Sequence, residues 1–255
     1  MKNPFDLSGQ VAVITGSSKG IGRSAAEIMA ALGAKVVISS RKADACEAVA
    51  AGIKKAGGEA IVIPCNISRK EELESLVKGT LKQWGKIDTL VCNAAVNPYF
   101  GPLEKIPDEV FDKIMATNIK SNLWLCNFAL PGMAEQGGGS VVIVSSVAGL
   151  RGTAQIGAYC ISKAADMQLA RNLAAELGPD NIRVNTIAPG LIKTDFARAL
   201  WDNPEYLDKR LQTAPLRRIG EPDDIGGIAV MLAGKAGAFI TGQTIIADAG
   251  VTIGG

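Results

Sequence analysis

Two residues, Tyr159 and Lys163, have the types and spacing that suit acid–base chemistry. Residues four apart lie one turn apart on the same face of a helix. A tyrosine exchanges protons poorly at neutral pH because its pKa is about 10, but a nearby ammonium stabilises the phenolate and lowers that pKa. The pair therefore indicates proton transfer. The alternative is an ordinary helix in which one side chain packs and the other reaches solvent.

A serine pair, Ser145 and Ser146, ends a β-branched run, and Ser146 lies thirteen residues before Tyr159. Ligands of parallel sheets bind beyond the carboxyl ends of the strands, so a serine at that position faces a bound molecule. The Ser146 hydroxyl can hydrogen-bond a substrate carbonyl and stabilise its oxygen as negative charge develops. The alternative is a serine that caps the start of a loop.

A glycine-rich stretch, residues 15–22, connects a β-branched run to a helical pattern. Gly16, Gly20 and Gly22 allow a tight turn and a close approach to a pyrophosphate, and the following helix start offers free N–H groups to that anion. The spacing is G-x-x-x-G-x-G rather than the usual G-x-G-x-x-G, and a plain strand-to-helix turn is the alternative. The strand–helix context favours a dinucleotide site.

The end of the second predicted strand bears on the choice of cofactor. NAD usually meets an acidic residue there, about 20 residues beyond the glycines. Here Arg41 and Lys42 follow the strand, and the first acidic residue is Asp44. A guanidinium suits a phosphate, so Arg41, with Lys19 as a second charge, favours NADP(H), while NAD(H) stays possible. The alternative is that Arg41 and Lys42 are solvated residues at a helix start.

The absence of histidine from the 255 residues excludes Ser-His-Asp and Cys-His nucleophiles. It also removes the commonest zinc ligand, and the five cysteines contain no Cys-x-x-Cys to replace it, so no metal is expected. An odd number of scattered cysteines fits reduced thiols in a cytoplasmic protein. The net charge of +2 gives no reason to expect nucleic acid, and no apolar run or leader predicts a membrane partner.

Strand and helix patterns alternate along the whole chain. Strands are predicted at residues 11–15, 35–40, 60–64, 89–92, 140–145, 183–187 and 244–247. Helices are predicted at residues 21–32, 43–56, 70–84, 108–136 (with a possible break), 158–177 and 223–234. The strands are apolar nearly throughout, which is typical of a parallel sheet covered on both faces. We expect one α/β domain over residues 1–255, a doubly wound Rossmann-type sheet of about seven mostly parallel strands. Residues 191–216 form a probable substrate-binding loop or lid within it.

Taken together, these motifs resemble the short-chain dehydrogenase/reductase family from end to end. The matching pieces are residues 15–22, Asn93-Ala94-Ala95, Asn118, Ser146, Tyr159-x-x-x-Lys163, Asn185, Pro189-Gly190 and Thr241-Gly242-Gln243. Within the family, residues 37–42, 93–98, 137–146 and 191–194 are similar to NADP-dependent carbonyl and retinal reductases. The resemblance implies an NADP(H)-dependent oxidoreductase that reduces a small ketone or aldehyde, or oxidises the alcohol, by hydride transfer.

The resemblance assigns a catalytic tetrad. Tyr159 would give or take the proton, Lys163 would lower its pKa and hold the nicotinamide ribose, and Ser146 would orient the carbonyl. Asn118 would anchor a water linked to Lys163. The implied cofactor contacts are Gly16, Ser18, Lys19, Gly20, Ile21, Gly22, Arg41, Asn66, Ile67, Asn93, Tyr159, Lys163, Pro189, Gly190, Ile192 and Thr194.

Three further expectations follow from the resemblance. Asn66 stands where the family usually has Asp, and its carbonyl oxygen would accept a hydrogen bond from the adenine amino group. Asn93 would support the central strands beside the cofactor. A homotetramer is implied, built on the two long middle helices, and the apolar surface all round residues 122–130 gives partial support.

Candidates for the substrate pocket lie in the loops beyond the strands and are mostly apolar, which favours a substrate with hydrocarbon bulk. They are Val96, Tyr99, Leu150, Ile156, Phe196 and Trp201. Arg151 could pair with a substrate carboxylate, but a solvated arginine is the commoner case. Two alternatives stay open: a 3-oxoacyl reductase acting on carrier-protein or coenzyme A thioesters, and a catalytically silent nucleotide-binding protein that keeps the fold.

Overall fold

The computed structural model describes residues 3–254, and its centre is a seven-stranded sheet in which every pairing is parallel. The strands are β1 (Val11–Thr15), β2 (Lys35–Ser39), β3 (Glu59–Val62), β4 (Thr89–Cys92), β5 (Gly139–Val144), β6 (Ile182–Pro189) and β7 (Thr244–Ala247). Their order is β3-β2-β1-β4-β5-β6-β7, so the direction of winding reverses between β1 and β4. Ligands of such sheets bind at this switch point, beyond the carboxyl ends of the strands.

Helices cover both faces of the sheet. They are α1 (Gly20–Ala31), α2 (Ala43–Lys55), α3 (Lys70–Trp84), α4 (Asp108–Met115), α5 (Ser121–Glu135), α6 (Gly157–Leu177), α7 (Arg198–Trp201), α8 (Pro204–Thr213) and α9 (Pro222–Ala233). One apolar core joins the sheet to α1, α2 and α9, and a second joins it to α3, α5 and α6. Neighbouring β1 residues divide between them: Ile14 belongs to the first core and Val13 to the second, as strand alternation requires.

The doubly wound fold predicted from the pattern is confirmed, and the predicted bounds of β1, β4 and β7 coincide with the observed ones. Two segments differ in the type of secondary structure from the one predicted for them. The long helix predicted over residues 108–136 is divided by a π-helical stretch, Ala116–Lys120. Residues 191–216, expected as a loop, contain the short helices α7 and α8. No helix within residues 3–254 is long and apolar enough to cross a membrane.

The last helix is fixed to the sheet by one partly buried arginine. Arg183, on β6, donates from Nη1 to the carbonyl oxygens of Leu232 at 2.6 Å and Gly237 at 2.8 Å. Its Nη2 donates to the carbonyls of Ala233 at 3.2 Å and Gly234 at 3.5 Å. These oxygens lie at and just beyond the end of α9, where a helix leaves carbonyls without internal partners. The guanidinium therefore caps α9 and holds it beside the strand that leads into the site.

We predict that Arg183→Met lowers the free energy of unfolding by about 2–3 kcal/mol, because several partly buried carbonyls lose a charged donor. Urea unfolding followed by circular dichroism measures this loss. Arg171→Met is the matched control, since the exposed Arg171 bonds only Gln168 on its own helix; its effect should stay within about 0.5 kcal/mol. Equal losses in the two variants would show that Arg183 is not a cap.

Candidate active site

Tyr159 and Ser146 meet at the carboxyl end of β5. Tyr159 lies in the first turn of α6, with its hydroxyl near enough to the Ser146 side chain for that side chain to lower its pKa. Ser146 also caps the short turn that follows β5, because its Oγ accepts from the Ala148 N–H at 3.1 Å. Both the reactive role and the capping role predicted for Ser146 are therefore compatible with its position. Burial raises the pKa of the Tyr159 hydroxyl above its ordinary value, while the Lys163 charge and the Ser146 side chain oppose that rise.

Lys163 lies beneath Tyr159 with its ammonium fully enclosed. Its side chain is only 2% exposed, and Nζ lies 5.7 Å from the centre of the Tyr159 ring. Nζ donates to the Val144 carbonyl at 2.9 Å and to Asp166 Oδ2 at 2.8 Å. Burial alone would lower the pKa of Lys163, but the Asp166 carboxylate reverses the effect and the pKa is raised. The ammonium is thus held charged beside the Tyr159 phenol.

Asp166 and Asn122 complete this network and were not predicted from the sequence. Asp166 Oδ1 accepts from Asn122 Nδ2 at 3.0 Å, and the same Nδ2 donates to the Asn118 main-chain oxygen at 2.8 Å. Both side chains are buried. The signal was available in the spacing, since Asp166 follows Lys163 by three positions and so shares its helix face.

Asn118 connects α6 to the loop that follows β4. Its Oδ1 accepts from the Val96 N–H at 2.8 Å, and its Nδ2 donates to the Val96 carbonyl at 3.0 Å and to Ser162 Oγ at 3.0 Å. Asn118 lies in the π-helical stretch, and π-helical turns are frequent at functional sites. The side chain is thus held by protein groups, and the main-chain oxygen of Asn118 also accepts from Asn122 Nδ2 at 2.8 Å; the water expected at Asn118 stays a prediction.

The glycine loop fits a diphosphate. Gly16 and Gly20 have positive φ angles of 67° and 56°, which suit glycine. A Cβ at Gly16 or at Gly22 would lie 2.8 Å or 2.5 Å from Asn93 Nδ2. That amide donates to the carbonyls of Thr15 at 2.9 Å and Gly16 at 3.2 Å, so Asn93 ties β4 to the loop. The start of α1 has no side-chain cap and no acidic residue in its first turn, which leaves its N–H groups available for an anion.

The two cations proposed for a 2′-phosphate differ in their surroundings. Arg41 is exposed just beyond β2 and forms no ion pair within residues 3–254. Lys19, in the glycine loop, instead contacts Asp195 of the 191–216 segment, with Nζ 3.1 Å from Oδ2. Among the described residues, Lys19 therefore has a carboxylate partner and Arg41 has none.

Other predicted cofactor residues line the same edge, with two qualifications. Thr194 lies beside the loop, since its Cγ2 is 3.1 Å from where a Cβ of Gly20 would be. The Ile192 side chain is buried in the core, so only its main chain can meet a cofactor. Asn66 Oδ1 accepts from the N–H and Oγ of Ser68 at 3.2 and 2.8 Å, a local turn that sequence reasoning overlooked. The oxygen expected to accept from the adenine amino group therefore already accepts two hydrogen bonds, and the adenine contact of Asn66 stays a prediction.

The predicted pocket residues are only partly brought together. Phe196 is 56% exposed and places its ring 6.1 Å from that of Tyr159, and Val96 is held by Asn118. The Trp201 indole donates to the Thr194 carbonyl at 2.8 Å, so it holds the 191–216 segment together. Tyr99 bonds the Pro102 carbonyl, Leu150 is exposed, and Ile156 pairs with Gly101. Arg151 donates to the Val251 carbonyl at 2.9 Å rather than lying free in solvent.

Comparison with protein-family models matches residues 16–252 to a family described as Enoyl-(Acyl carrier protein) reductase. Dehydrogenase/reductase SDR family member 4 of Bos taurus is 41% identical over 249 residues, covering 98% of this chain and 88% of the relative. The Homo sapiens protein of the same name is 41% identical over 244 residues, covering 96% and 88%.

Solved structures of the same kind are superimposable over nearly the whole chain. A 7 alpha-hydroxysteroid dehydrogenase complexed with NADH and 7-oxo glycochenodeoxycholic acid has a TM-score of 0.94 at 36% identity, covering 98% of each chain. A gluconate 5-dehydrogenase from Burkholderia cenocepacia J2315, in complex with NADP and tartrate, has a TM-score of 0.93 at 28% identity and covers 98% of this chain and 97% of its own. The chain belongs to the short-chain dehydrogenase/reductase family, and it is an NAD(P)-dependent oxidoreductase.

We predict that Gly22→Ala weakens dinucleotide binding at least ~10-fold, because the clash with Asn93 costs ~1–3 kcal/mol, more than the helix propensity gained. Isothermal titration of NADPH and NADH measures the affinity, and urea unfolding separates it from stability. Gly52→Ala is the matched control: Gly52 lies inside α2 with no atom within 4 Å of an added Cβ. This control should be neutral or stabilising by about 0.5–1 kcal/mol, and unchanged affinity in Gly22→Ala would contradict the fitted loop.

Proposed function

We propose that this enzyme is an NADP(H)-dependent reductase of small hydrophobic ketones or aldehydes, which also oxidises the corresponding secondary alcohols. The observation that carries the proposal is the buried Lys163 ammonium, 5.7 Å from the centre of the Tyr159 ring, with Tyr159 beside Ser146 at the edge where the glycine loop also lies. Acid, carbonyl-binding hydroxyl and counter-charge are thereby assembled without histidine or metal ligands from the chain.

The chain's residues divide the work of reduction as follows. A nicotinamide cofactor, when bound, would supply the hydride that the carbonyl carbon accepts. Ser146 donates a hydrogen bond to the carbonyl oxygen, and Tyr159 gives that oxygen its phenolic proton, leaving a phenolate and an alcohol. Lys163 stabilises the phenolate through its positive charge. Asn118 positions α6 against the Val96 loop, so that the tetrad is Asn118, Ser146, Tyr159 and Lys163.

The preference for NADP(H) rests on Arg41. A planar guanidinium binds a phosphate through two parallel hydrogen bonds, and its exposed position at the end of β2 suits the adenosine end of a dinucleotide. The related structures include both an NADH complex and an NADP complex, so the family alone does not decide the question.

An apolar substrate is favoured by the exposed Phe196 ring beside Tyr159. A second candidate is reduction of a 3-oxoacyl thioester: the description of the matching family, Enoyl-(Acyl carrier protein) reductase, names a carrier-bound acyl substrate, although it names reduction of an enoyl and not of a 3-oxo group. The tetrad would act identically, and the two candidates differ only in what the 191–216 segment must accommodate.

For assembly we propose a homotetramer. Strand β7 is an edge strand with a half-exposed Ile246, and Phe239 before it is fully exposed. Exposed apolar side chains beside a free strand edge are typical of subunit contacts. We also propose a cytoplasmic location, on the ground that the five cysteines are free thiols.

We predict that Tyr159→Phe lowers turnover at least ~10²-fold while dinucleotide affinity is retained, because the variant lacks only the transferable proton. The assay is the initial rate of NADPH and of NADH oxidation with hydrophobic ketones, α-diketones, aldehydes and a 3-oxoacyl coenzyme A thioester. Ser75→Ala, which also removes one hydroxyl but on the exposed face of α3, is the control. Full activity in Tyr159→Phe would remove Tyr159 from the mechanism, and turnover of the thioester alone would select the second candidate.

We predict that Arg41→Asp weakens NADPH binding at least ~10-fold and leaves NADH binding nearly unchanged, since only NADPH loses a charged phosphate contact of about 1.5–3 kcal/mol. Titration of both cofactors at low and at high salt measures the effect. Lys55→Asp, at the opposite end of α2, makes the same change of charge and should affect neither cofactor. If Arg41→Asp affects both cofactors equally, Arg41 does not bind the 2′-phosphate.

A further inference from the structure

The Lys163–Asp166 ion pair is the most completely buried charged contact in the described chain, with side chains 2% and 0% exposed and Nζ 2.8 Å from Oδ2. We propose that Asp166 is a positioning residue of the active site, which keeps Lys163 in its ammonium form and fixes the direction of its free N–H. The inference rests on the proposed function, because it gives Asp166 its effect through Lys163 on Tyr159.

The charged groups that face Lys163 Nζ determine whether the lysine stays protonated. A lysine enclosed in this way without an opposite charge loses its proton at or below neutral pH. The titratable groups that face Nζ are Tyr159 and Asp166 on α6, and the Cys92 thiol at the end of β4. The Cys92 thiol is a free thiol that is held neutral, since the neighbouring Cys126 of α5 and burial raise its pKa. Asp166 is therefore the carboxylate that faces Nζ among residues 3–254: burial raises the pKa of Asp166, while the Lys163 charge and the hydrogen bonds from Lys163 and Asn122 oppose that rise.

The carboxylate is itself held in place. Its Oδ1 accepts from Asn122 and its Oδ2 from Lys163, so each oxygen is used as an acceptor, as in an ionised carboxylate. The Asn122 orientation is unambiguous because Nδ2 faces two acceptors, Asp166 Oδ1 and the Asn118 carbonyl. Asp166 thus ties the ammonium to the π-helical stretch that carries Asn118.

The acceptors around the Lys163 ammonium determine where its remaining N–H points. An ammonium has three N–H groups. The Val144 carbonyl and Asp166 take two of them, at 2.9 and 2.8 Å. One N–H is left for a bound molecule, and rotation about the last bond of the side chain would break both existing contacts. A protonated lysine with a single free donor is preorganised in a way that a lysine with two or three free donors is not.

The test uses Asp166→Asn, which keeps the shape and the Asn122 contact but removes the charge. In the reductive assay with the full-length enzyme, we expect kcat at neutral pH to fall at least ~10-fold and to recover as the pH is lowered, because acid restores the Lys163 proton. The KM for NADPH should rise as well. Glu74→Gln, which removes the exposed ion pair between Glu74 and Lys78, is the control and should leave the pH profile unchanged.

The second measurement does not depend on activity. In the wild type the pKa of Lys163 is raised, so the stability that it contributes is fully present below its unfolded pKa of about 10.4 and is lost as the pH rises through the folded pKa. In Asp166→Asn the folded pKa falls below the unfolded one, so that contribution grows as the pH rises. The difference in unfolding free energy between the two proteins should therefore shrink from about pH 7 to about pH 10, above the range of ordinary carboxyl groups.

The possible results distinguish a failure of the proposed function from a failure of the role inferred for Asp166. If no carbonyl is turned over by the wild type, the proposed function fails, while the stability difference still tests Asp166. A pH-independent stability loss together with an unchanged pH profile of kcat would overturn the inference, leaving Asp166 a packing residue. If Asp166→Asn does not fold, the double variant Lys163→Met/Asp166→Asn decides: recovery of folded protein supports the coupling of charges, and failure to recover it contradicts that coupling.

Discussion

Helix α6 contacts the carboxyl end of β5 through two hydrogen bonds, and both involve the same helix residue, Lys163. Lys163 Nζ donates to the Val144 carbonyl at 2.9 Å, and Ser145 Oγ donates to the Lys163 carbonyl at 2.7 Å. Because an ammonium cannot be buried without partners, this contact fixes the rotation and height of α6 on the sheet. The positions of Tyr159 and Ser146 then follow, one turn before Lys163 and one residue beyond Ser145. The placement of Tyr159 and Ser146 therefore depends on hydrogen bonds that Lys163 and Ser145 make.

The same edge of the sheet receives the glycine loop, and Asn93 joins the two halves. Its amide bonds the carbonyls of Thr15 and Gly16, so the loop after β1 is held by the loop after β4 at the switch point. Parallel strands bring all their carboxyl ends to one edge, which explains how motifs scattered over most of the chain form one site. Burial at this edge raises the pKa of Tyr159, and the charge of the buried Lys163 opposes that rise.

Much of this arrangement could be predicted from the sequence, for identifiable physical reasons. Apolar runs report burial on both faces, so β1 and β4 were predicted with the observed bounds, and Tyr159 and Lys163 were paired by helical spacing. The π-helical stretch was not predictable, because one widened turn hardly alters the apolar pattern around it. Asp166 was missed for a related reason: an acidic residue three positions after a basic one is also typical of an exposed pair, such as Arg69 and Glu72 at the start of α3. Only the packing of α6 against α5 and β5 distinguishes the two cases.

The 191–216 segment combines a fixed and a loosely held part, and this division bears on how a substrate is enclosed. Ile192 is anchored in the core and Trp201 is bonded to the Thr194 carbonyl, so the base and the first helix of the segment keep their shape. The contact across to the glycine loop is the Lys19–Asp195 pair, whose side chains are 66% and 55% exposed. Exposed pairs of this kind contribute little to stability, so a phosphate at this position would compete with the aspartate for the same ammonium. Phe196 adjoins Asp195, and its ring centre is 6.1 Å from that of Tyr159, so the carboxylate that faces Lys19 and the aromatic ring beside Tyr159 belong to one short piece of chain.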